Sequence, residues 1–373
     1  MIEMPVVVCG LGGMGSAALA RVAMRGVRVL GIEQYAPVHA FGSSSGKSRI
    51  IRRAYFEDPA YVPLLDRAYE LWRELEARTR AQVLHLTGLL TLGYDGSPML
   101  AGAHAAARAY DMDVEFWDAS AIRARYPALA PLDDEHGIFE RDGGFVVPER
   151  AIEAHLALAK DHGAQTRFGV GMRGWESAPD GVRVTLTNGE TIRCEQLILT
   201  LGPWFRETLA EIGVPLVIQR NVLAWFAPRR PLGPDQMPCF LMDRRGLPSE
   251  FYGFPDVGDG VKAAFHGYGE HTDAAHLDRE VHESDVLPLA RALEMWIPGA
   301  AGAYREGKAC MYSLTPDRHF VLDHHPRDAR VTICGGFSGH GFKFASAIGE
   351  IAAQLALDGG SPLPIAFLSL ARF

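Results

Sequence analysis

The chain has 373 residues, 48% hydrophobic and 22% charged, an ordinary globular composition. That length suggests one large or two moderate domains with ample chain for a sizeable core. A net charge of −8 without a Lys/Arg-rich run disfavours a nucleic-acid surface, and no apolar run approaches a membrane span.

The first predicted unit is βαβ over PVVVCGLGGMGSAALARVAMRGVRVLGIE, residues 5–33. A short apolar strand, Val6–Cys9, runs into glycines at 10, 12 and 15. A small-residue helix follows, and then a second strand, Val27–Ile32, ending in Glu33. In G-x-G-x-x-G the first glycine allows a tight turn, and the second lets backbone approach a pyrophosphate. The third lets helix pack on strand, while the helix N-terminus faces the anion. Glu33 is placed to accept bonds from ribose hydroxyls. The motif alone does not separate NAD from FAD.

Leu64/Leu65, Ala68, Leu71/Trp72 and Leu75 have the spacing of an amphipathic helix within 61–78. TGLLTLGY (87–94) reads as a strand. Val182, Val184 and Leu186 alternate before Asn188-Gly189, a hairpin signal, and Leu197–Thr200 reads as a buried strand reaching Gly202. Residues 251–269, FYGFPDVGDGVKAAFHGYG, suit a β-rich sheet with a binding face. Near the end come a strand, a glycine-rich loop and a helix striped by Ile348, Ile351/Ala352 and Leu355, with Gly359 as its stop. No flexible linker divides the chain, which suggests that it weaves between two domains.

The start, MIEMPVVVCG, lacks a basic region leading into an apolar signal core, and the end, LARF, lacks the peroxisomal tripeptide. A soluble cytoplasmic protein is therefore the expectation. Cys9, Cys194, Cys239, Cys310 and Cys334 form no CxxC or zinc-like spacing, and their odd number fits reduced thiols. Asp323, His324 and His325 stand together in DHHP without further partners at metal spacing, so no metal is expected.

Three further motifs carry a resemblance. GSSSGKSRIIRRAY (42–55), CMYSLTPD (310–317) and GFSGHGFKF (336–344), behind the glycine fingerprint, resemble the flavin-dependent amine oxidases around monomeric sarcosine oxidase, N-methyltryptophan oxidase and pipecolate oxidase. The similarity runs from Val6 to about residue 370. It implies an α/β (α+β) two-domain fold. The Rossmann-like FAD domain would comprise 1–85, 148–218 and 307–373, and the substrate domain, with a large mostly antiparallel sheet, 86–147 and 219–306. It implies FAD held by Gly10, Gly12, Gly13, Met14, Gly15, Glu33, Gln34, His39, Ser43, Ser48 and Arg49. Met172, Gly202, Trp204, Cys310, Met311, Gly336, Phe337, Gly339, His340, Gly341 and Lys343 complete that set.

Read alone, Arg52 is an ordinary surface arginine and Lys262 an exposed strand lysine. The resemblance instead makes Arg52 and Lys343 the clamp for a substrate carboxylate, a fork and a point charge from distant segments. It makes Lys262 the cation that stabilises superoxide during flavin reoxidation, with Arg49 as second cation and His266 toward the substrate, a satisfied structural histidine being the alternative for His266. Tyr55, Tyr252, Tyr312 and Met242 are expected to line the pocket, for which core packing is the alternative. Cys310 aligns with the cysteine that bonds the flavin 8-methyl carbon, whereas composition alone makes it a buried thiol.

The implied reaction is oxidation of a secondary α-amino acid by hydride transfer to FAD, with O2 as acceptor and hydrogen peroxide as product. Small amino acid and O2 are the expected partners of a monomer, without nucleic acid or membrane. Ser44 and Ser45 stand where bacterial monomeric sarcosine oxidases have two histidines, and GSSSGKSRIIRRAY looks closer to the pipecolate branch. Pipecolate or proline-type substrates, a protein electron acceptor and a nicotinamide cofactor are the rival readings.

Overall fold

The computed structural model describes residues 2–373. Strand Ile2–Cys9 forms the centre of an eight-stranded sheet. It pairs in parallel with Val29–Glu33 on one side and Thr191–Leu199 on the other. Gln165–Phe168 and Asp328–Gly335 extend the parallel part. The hairpin signalled by Asn188-Gly189 appears as Gly181–Leu186 against Thr191–Leu199. Helices Gly13–Met24, Pro148–Asp161 and Ala345–Asp358 accompany this sheet. The first and last pack so closely that a Cβ at Gly349 would lie 2.4 Å from Ala17 Cβ. Gly359 ends the last helix at φ 75°, as its composition suggested.

The second sheet has nine strands, antiparallel except for the pairing of Leu89–Tyr94 with Cys239–Met242. Its long members are Val217–Ala227 and Ala303–Leu314, paired over almost their full length. The segment 307–314 therefore lies in this sheet, which moves it from the assignment made above for 307–373. Eleven paired positions, interrupted by one bulge at Trp225/Phe226, hold it there, and the chain returns to the first sheet only afterwards. A small sheet of Arg49–Ile51, Leu84–His85 and Gly144–Val146 completes the set.

Register decides what each face of the nine-stranded sheet carries. Leu241 stands opposite Tyr252, Tyr252 opposite Ala264, and Phe254 opposite Lys262. Lys262 stands opposite Trp225, and Leu223, Asn221 and Gln219 stand opposite Lys308, Cys310 and Tyr312. Directly paired residues share a face, and side chains alternate along a strand. Leu241, Tyr252, Phe254, Lys262, Trp225, Lys308, Cys310 and Tyr312 thus occupy one face. Phe240, Met242, Phe251, Val261 and Phe265 occupy the other, packed with Leu289, Leu293 and Trp296 of helix Glu283–Trp296.

Candidate active site

One cavity of about 390 Å³ runs from the glycine turn at Gly10–Gly13 to the first-named face of the nine-stranded sheet. At its near end, Gly10 has φ +89° and a Cβ there would sit 2.5 Å from Thr200 O; at Gly15 a Cβ would sit 1.7 Å from Gly10 O. Only glycine fits at both positions. Gly15 is thus a packing residue behind the cavity wall, while Gly10, Gly12, Gly13 and Met14 line it. Helix Gly13–Met24 has no side-chain cap, and its N-terminus opens onto the cavity. Of its first amides, Gly13 N donates to Ser44 Oγ at 3.2 Å.

Glu33 Oε2 accepts from Leu11 N at 2.8 Å and Oε1 from Tyr35 N at 3.1 Å, with His39 Nε2 3.3 Å away. The carboxylate is thereby held at the cavity edge beside Gln34 and His39. Ser43, Arg49, Met172, Gly202, Trp204, Met311, Gly336, Phe337, Gly339, His340, Gly341 and Lys343 also line the cavity. A helix end open to the cavity and a carboxylate fixed at its edge suit a dinucleotide, so the residues present fit FAD.

At the far end two buried cations converge. Arg52 follows strand Arg49–Ile51, and the amides of Arg53 and Ala54 donate to Glu140 Oε2, fixing that turn. The Arg52 guanidinium donates to Ala54 O at 2.9 Å and to Glu57 Oε2 at 2.6 Å. Its carbon lies 4.4 Å from the ring centres of both Tyr55 and Phe56. Lys343 sits in the turn Phe342–Phe344, and its carbonyl accepts from Trp72 Nε1 of helix Val62–Thr79 at 2.9 Å. Its ammonium donates to His340 O at 2.9 Å and lies 5.1 Å from the Tyr55 ring.

Tyr55 therefore does not line the cavity. It is fully buried as the platform beneath both cations, because the chain after Arg52 turns inward under Glu140. Its hydroxyl lies 2.5 Å from His340 Nδ1, while His340 Nε2 lies 3.0 Å from Arg318 O. Burial pushes His340 down to about 3, so the ring is neutral. A carbonyl only accepts, so Nε2 carries the proton and Tyr55 donates to Nδ1.

Burial alone would push the Glu57 carboxyl up, but Arg52, with Lys343, holds it down at about 2. Burial, helped by Arg52 and opposed by Glu57, lowers Lys343 to about 7. Glu57 thus lies as an anion on Arg52, while the Lys343 ammonium bonds to His340 O. Nothing in the sequence motifs marks it; its position five residues after Arg52 is the signal that was available.

Leu241, Tyr252, His266 and Tyr312 form the wall facing this clamp. Tyr312 Oη lies 3.3 Å from His266 Nδ1, and burial lowers His266 to about 4, leaving it neutral. Gly339, at φ +83°, lets the loop pass the Tyr312 ring, which a Cβ would meet at 2.4 Å. Met242 is not in the wall. It points to the opposite face, and its neighbour Leu241 takes the place expected for it.

Lys262 and Ser48 lie behind the cavity wall. The Lys262 ammonium donates to Gly46 O and Ser48 O at 2.7 Å and to Ser48 Oγ at 3.0 Å. It lies 4.5 Å from the Phe254 ring centre and is 1% exposed, not an exposed strand lysine. Burial, with Arg49, pushes its pKa well below the ordinary value. Arg49 donates to the carbonyls of Ser43, Ser45 and Ser48, so both cations hold the 43–48 loop. Cys310 is likewise outside the lining but on the same sheet face as Tyr312. All five cysteines are unpaired and buried. Among the described residues no group of three His, Cys, Asp or Glu gathers at metal spacing. No described helix is long and apolar enough to cross a membrane.

A glycine turn at a helix N-terminus and two buried cations, Arg52 and Lys343, lining one cavity fit the class of dinucleotide-dependent oxidoreductases. The chain belongs to the FAD-dependent oxidoreductase family, whose profile, described as "FAD dependent oxidoreductase", matches residues 5–355. Among curated proteins it is 44% identical over 368 residues to a monomeric sarcosine oxidase of Streptomyces avermitilis, covering 96% of this chain and 95% of the relative. It is 34% identical over 377 residues to an N-methyl-L-tryptophan oxidase of Yersinia pestis, covering 100% of both. Among solved structures it is similar to the open form of NikD, an amino acid oxidase of nikkomycin biosynthesis, with TM-score 0.87 and 25% identity over 99% of this chain and 98% of that one.

Proposed function

We propose that this protein is an FAD-dependent oxidase of secondary α-amino acids, N-methyl compounds of the sarcosine type first among them. The observation that carries the reading is the buried Arg52–Lys343 pair, its arginine already bound to the Glu57 carboxylate, beside an apolar wall in a dinucleotide cavity. The names of the curated relatives support the substrate class.

An incoming substrate carboxylate displaces Glu57 and bonds to Arg52 and Lys343. Phe56, Leu241, Tyr252 and Tyr312 exclude water around the C–H next to nitrogen, and positioning carries most of the rate. The nearby positive charge favours the neutral amine, the form that gives up hydride. Gly10–Met14, Glu33 and the loop 336–343 would hold FAD, which would supply a two-electron acceptor that O2 can reoxidise. The imine hydrolyses in water, yielding formaldehyde where the substrate is N-methylated. Lys262 is assigned to the oxygen step and Cys310 to covalent attachment of the flavin. The eight-stranded sheet is assigned to the cofactor and the nine-stranded sheet to the substrate, in a soluble cytoplasmic monomer.

Pipecolate or proline-type rings remain the second reading, favoured by the GSSSGKSRIIRRAY segment, in which Ser44 is committed to Gly13 N. A peroxide-coupled screen of sarcosine, larger N-methyl amino acids, pipecolate and proline separates the two. Turnover that reduces the flavin without forming peroxide would instead point to a protein electron acceptor.

A further inference from the structure

We propose that Lys308 is the base that removes the thiol proton of Cys310 when that sulfur bonds to the flavin 8-methyl carbon. The inference rests on the assignment of Cys310 to covalent attachment.

Within strand Ala303–Leu314, Lys308, Cys310 and Tyr312 share the face turned toward the cavity. Lys308 stands opposite Leu223 and Cys310 opposite Asn221. Two strand residues rise about 6.6 Å, a distance a lysine side chain spans with ease. Cys310 is 2% exposed, and burial pushes its thiol up despite Arg49, Lys262, Lys308 and Arg220. At neutral pH it is a thiol, and only the thiolate attacks carbon. A base must therefore act.

The other groups around the sulfur cannot do so. Arg49 and Arg220 do not give up a proton, and Arg220 is bound to Asp285. Lys262 has its three donors committed to Gly46 and Ser48. The phenols of Tyr252 and Tyr312 are held protonated by burial. Lys308 has no hydrogen bond or ion pair among the described residues. Burial lowers its pKa, with Arg49 acting in the same direction and Glu149 and Glu306 opposing. It is also partly exposed, so a proton taken from sulfur can pass to water.

The step balances. The S–H bond and one C–H bond of the 8-methyl group break, and one S–C bond forms. Two electrons and two protons end on the flavin ring, which is reduced, water returning to it the proton that Lys308 gave up. O2, the acceptor of the proposed reaction, then takes them as hydrogen peroxide.

The test uses full-length apoprotein mixed with FAD. Binding is followed by quenching of flavin fluorescence, and attachment by yellow colour retained after acid precipitation and by mass. Lys308→Met is expected to bind FAD as wild type does but attach it at least ten-fold more slowly, with partial rescue by added ethylamine. Lys308→Arg keeps the charge without the base and is expected to be as slow as the methionine variant. Without O2, wild-type attachment bleaches the flavin mole for mole. Wild-type attachment rates in Lys308→Met, or in Lys308→Arg, overturn the proposal while leaving Cys310 as the anchor. Absence of any attachment in wild type, or attachment persisting in Cys310→Ser, removes the assignment of Cys310 and this proposal with it.

Discussion

Lys343 makes the clamp titrate near neutrality. Its ammonium is lowered to about 7 by burial and by Arg52, and Glu57 contacts Arg52 without bonding to Lys343. A ligand carboxylate that bonds to Lys343 directly raises its pKa back toward the ordinary value of about 10.4. Below pH 7 the ammonium is present both free and in the complex, so affinity is flat. Above pH 7 the free protein has lost the proton that the complex keeps, and Kd rises, at most ten-fold per unit. From pH 7 to 9 the ceiling is about 100-fold, or about 2.7 kcal/mol. Glu57, at about 2, and His266 and His340, at about 4 and 3, do not titrate in this window. The assay is the perturbation of bound-flavin absorbance by acetate, which has no amine to complicate the profile, from pH 6 to 9 at constant ionic strength. Lys343→Met should bind acetate about 10- to 100-fold more weakly at pH 6, the worth of a hydrogen bond to a charged group, and lose the slope. A flat wild-type profile, or an unchanged slope in Lys343→Met, would refute the reasoning.

Lys262→Met should leave anaerobic flavin reduction by substrate near the wild-type rate and slow reoxidation by O2 at least ten-fold in stopped flow. Unimpaired reoxidation would reduce Lys262 to a structural tie for Gly46 and Ser48. Met242→Ala should cost about 2–5 kcal/mol of stability in denaturant unfolding and leave KM unchanged, because the side chain is buried against Phe240 and Trp296. Leu241→Ala should do the reverse in emphasis, altering KM and substrate preference; equal effects of the two would contradict the register.

Local physics made several elements legible without coordinates. The glycines at 10 and 15 announce close backbone approach, and the structure shows contacts that admit no Cβ. Asn188-Gly189 announces a hairpin, and the apolar spacing of Leu64 to Leu75 a helix, because each depends on neighbours within a few residues. The motif around Arg52 and that around Lys343 could be named together only through the family likeness. Their meeting over the Tyr55 ring joins segments almost 300 residues apart, and no sequence spacing encodes that.

By itself, then, the sequence determined a nucleotide-binding βαβ start and the strand and helix periods, and through the family likeness it pointed to the residues of the proposed carboxylate clamp. Tertiary structure alone decided which of two adjacent residues, Leu241 or Met242, faces the cavity. Alternation defines two faces but not which one is covered, and helix Glu283–Trp296 claims the Met242 side. It also decided that Lys262 lies behind the 43–48 loop, that Tyr55 lies beneath Arg52 and Lys343, and that Glu57 binds Arg52. Each of these follows from where distant backbone carbonyls, rings and charges come to lie, because buried charges settle wherever their hydrogen bonds are met.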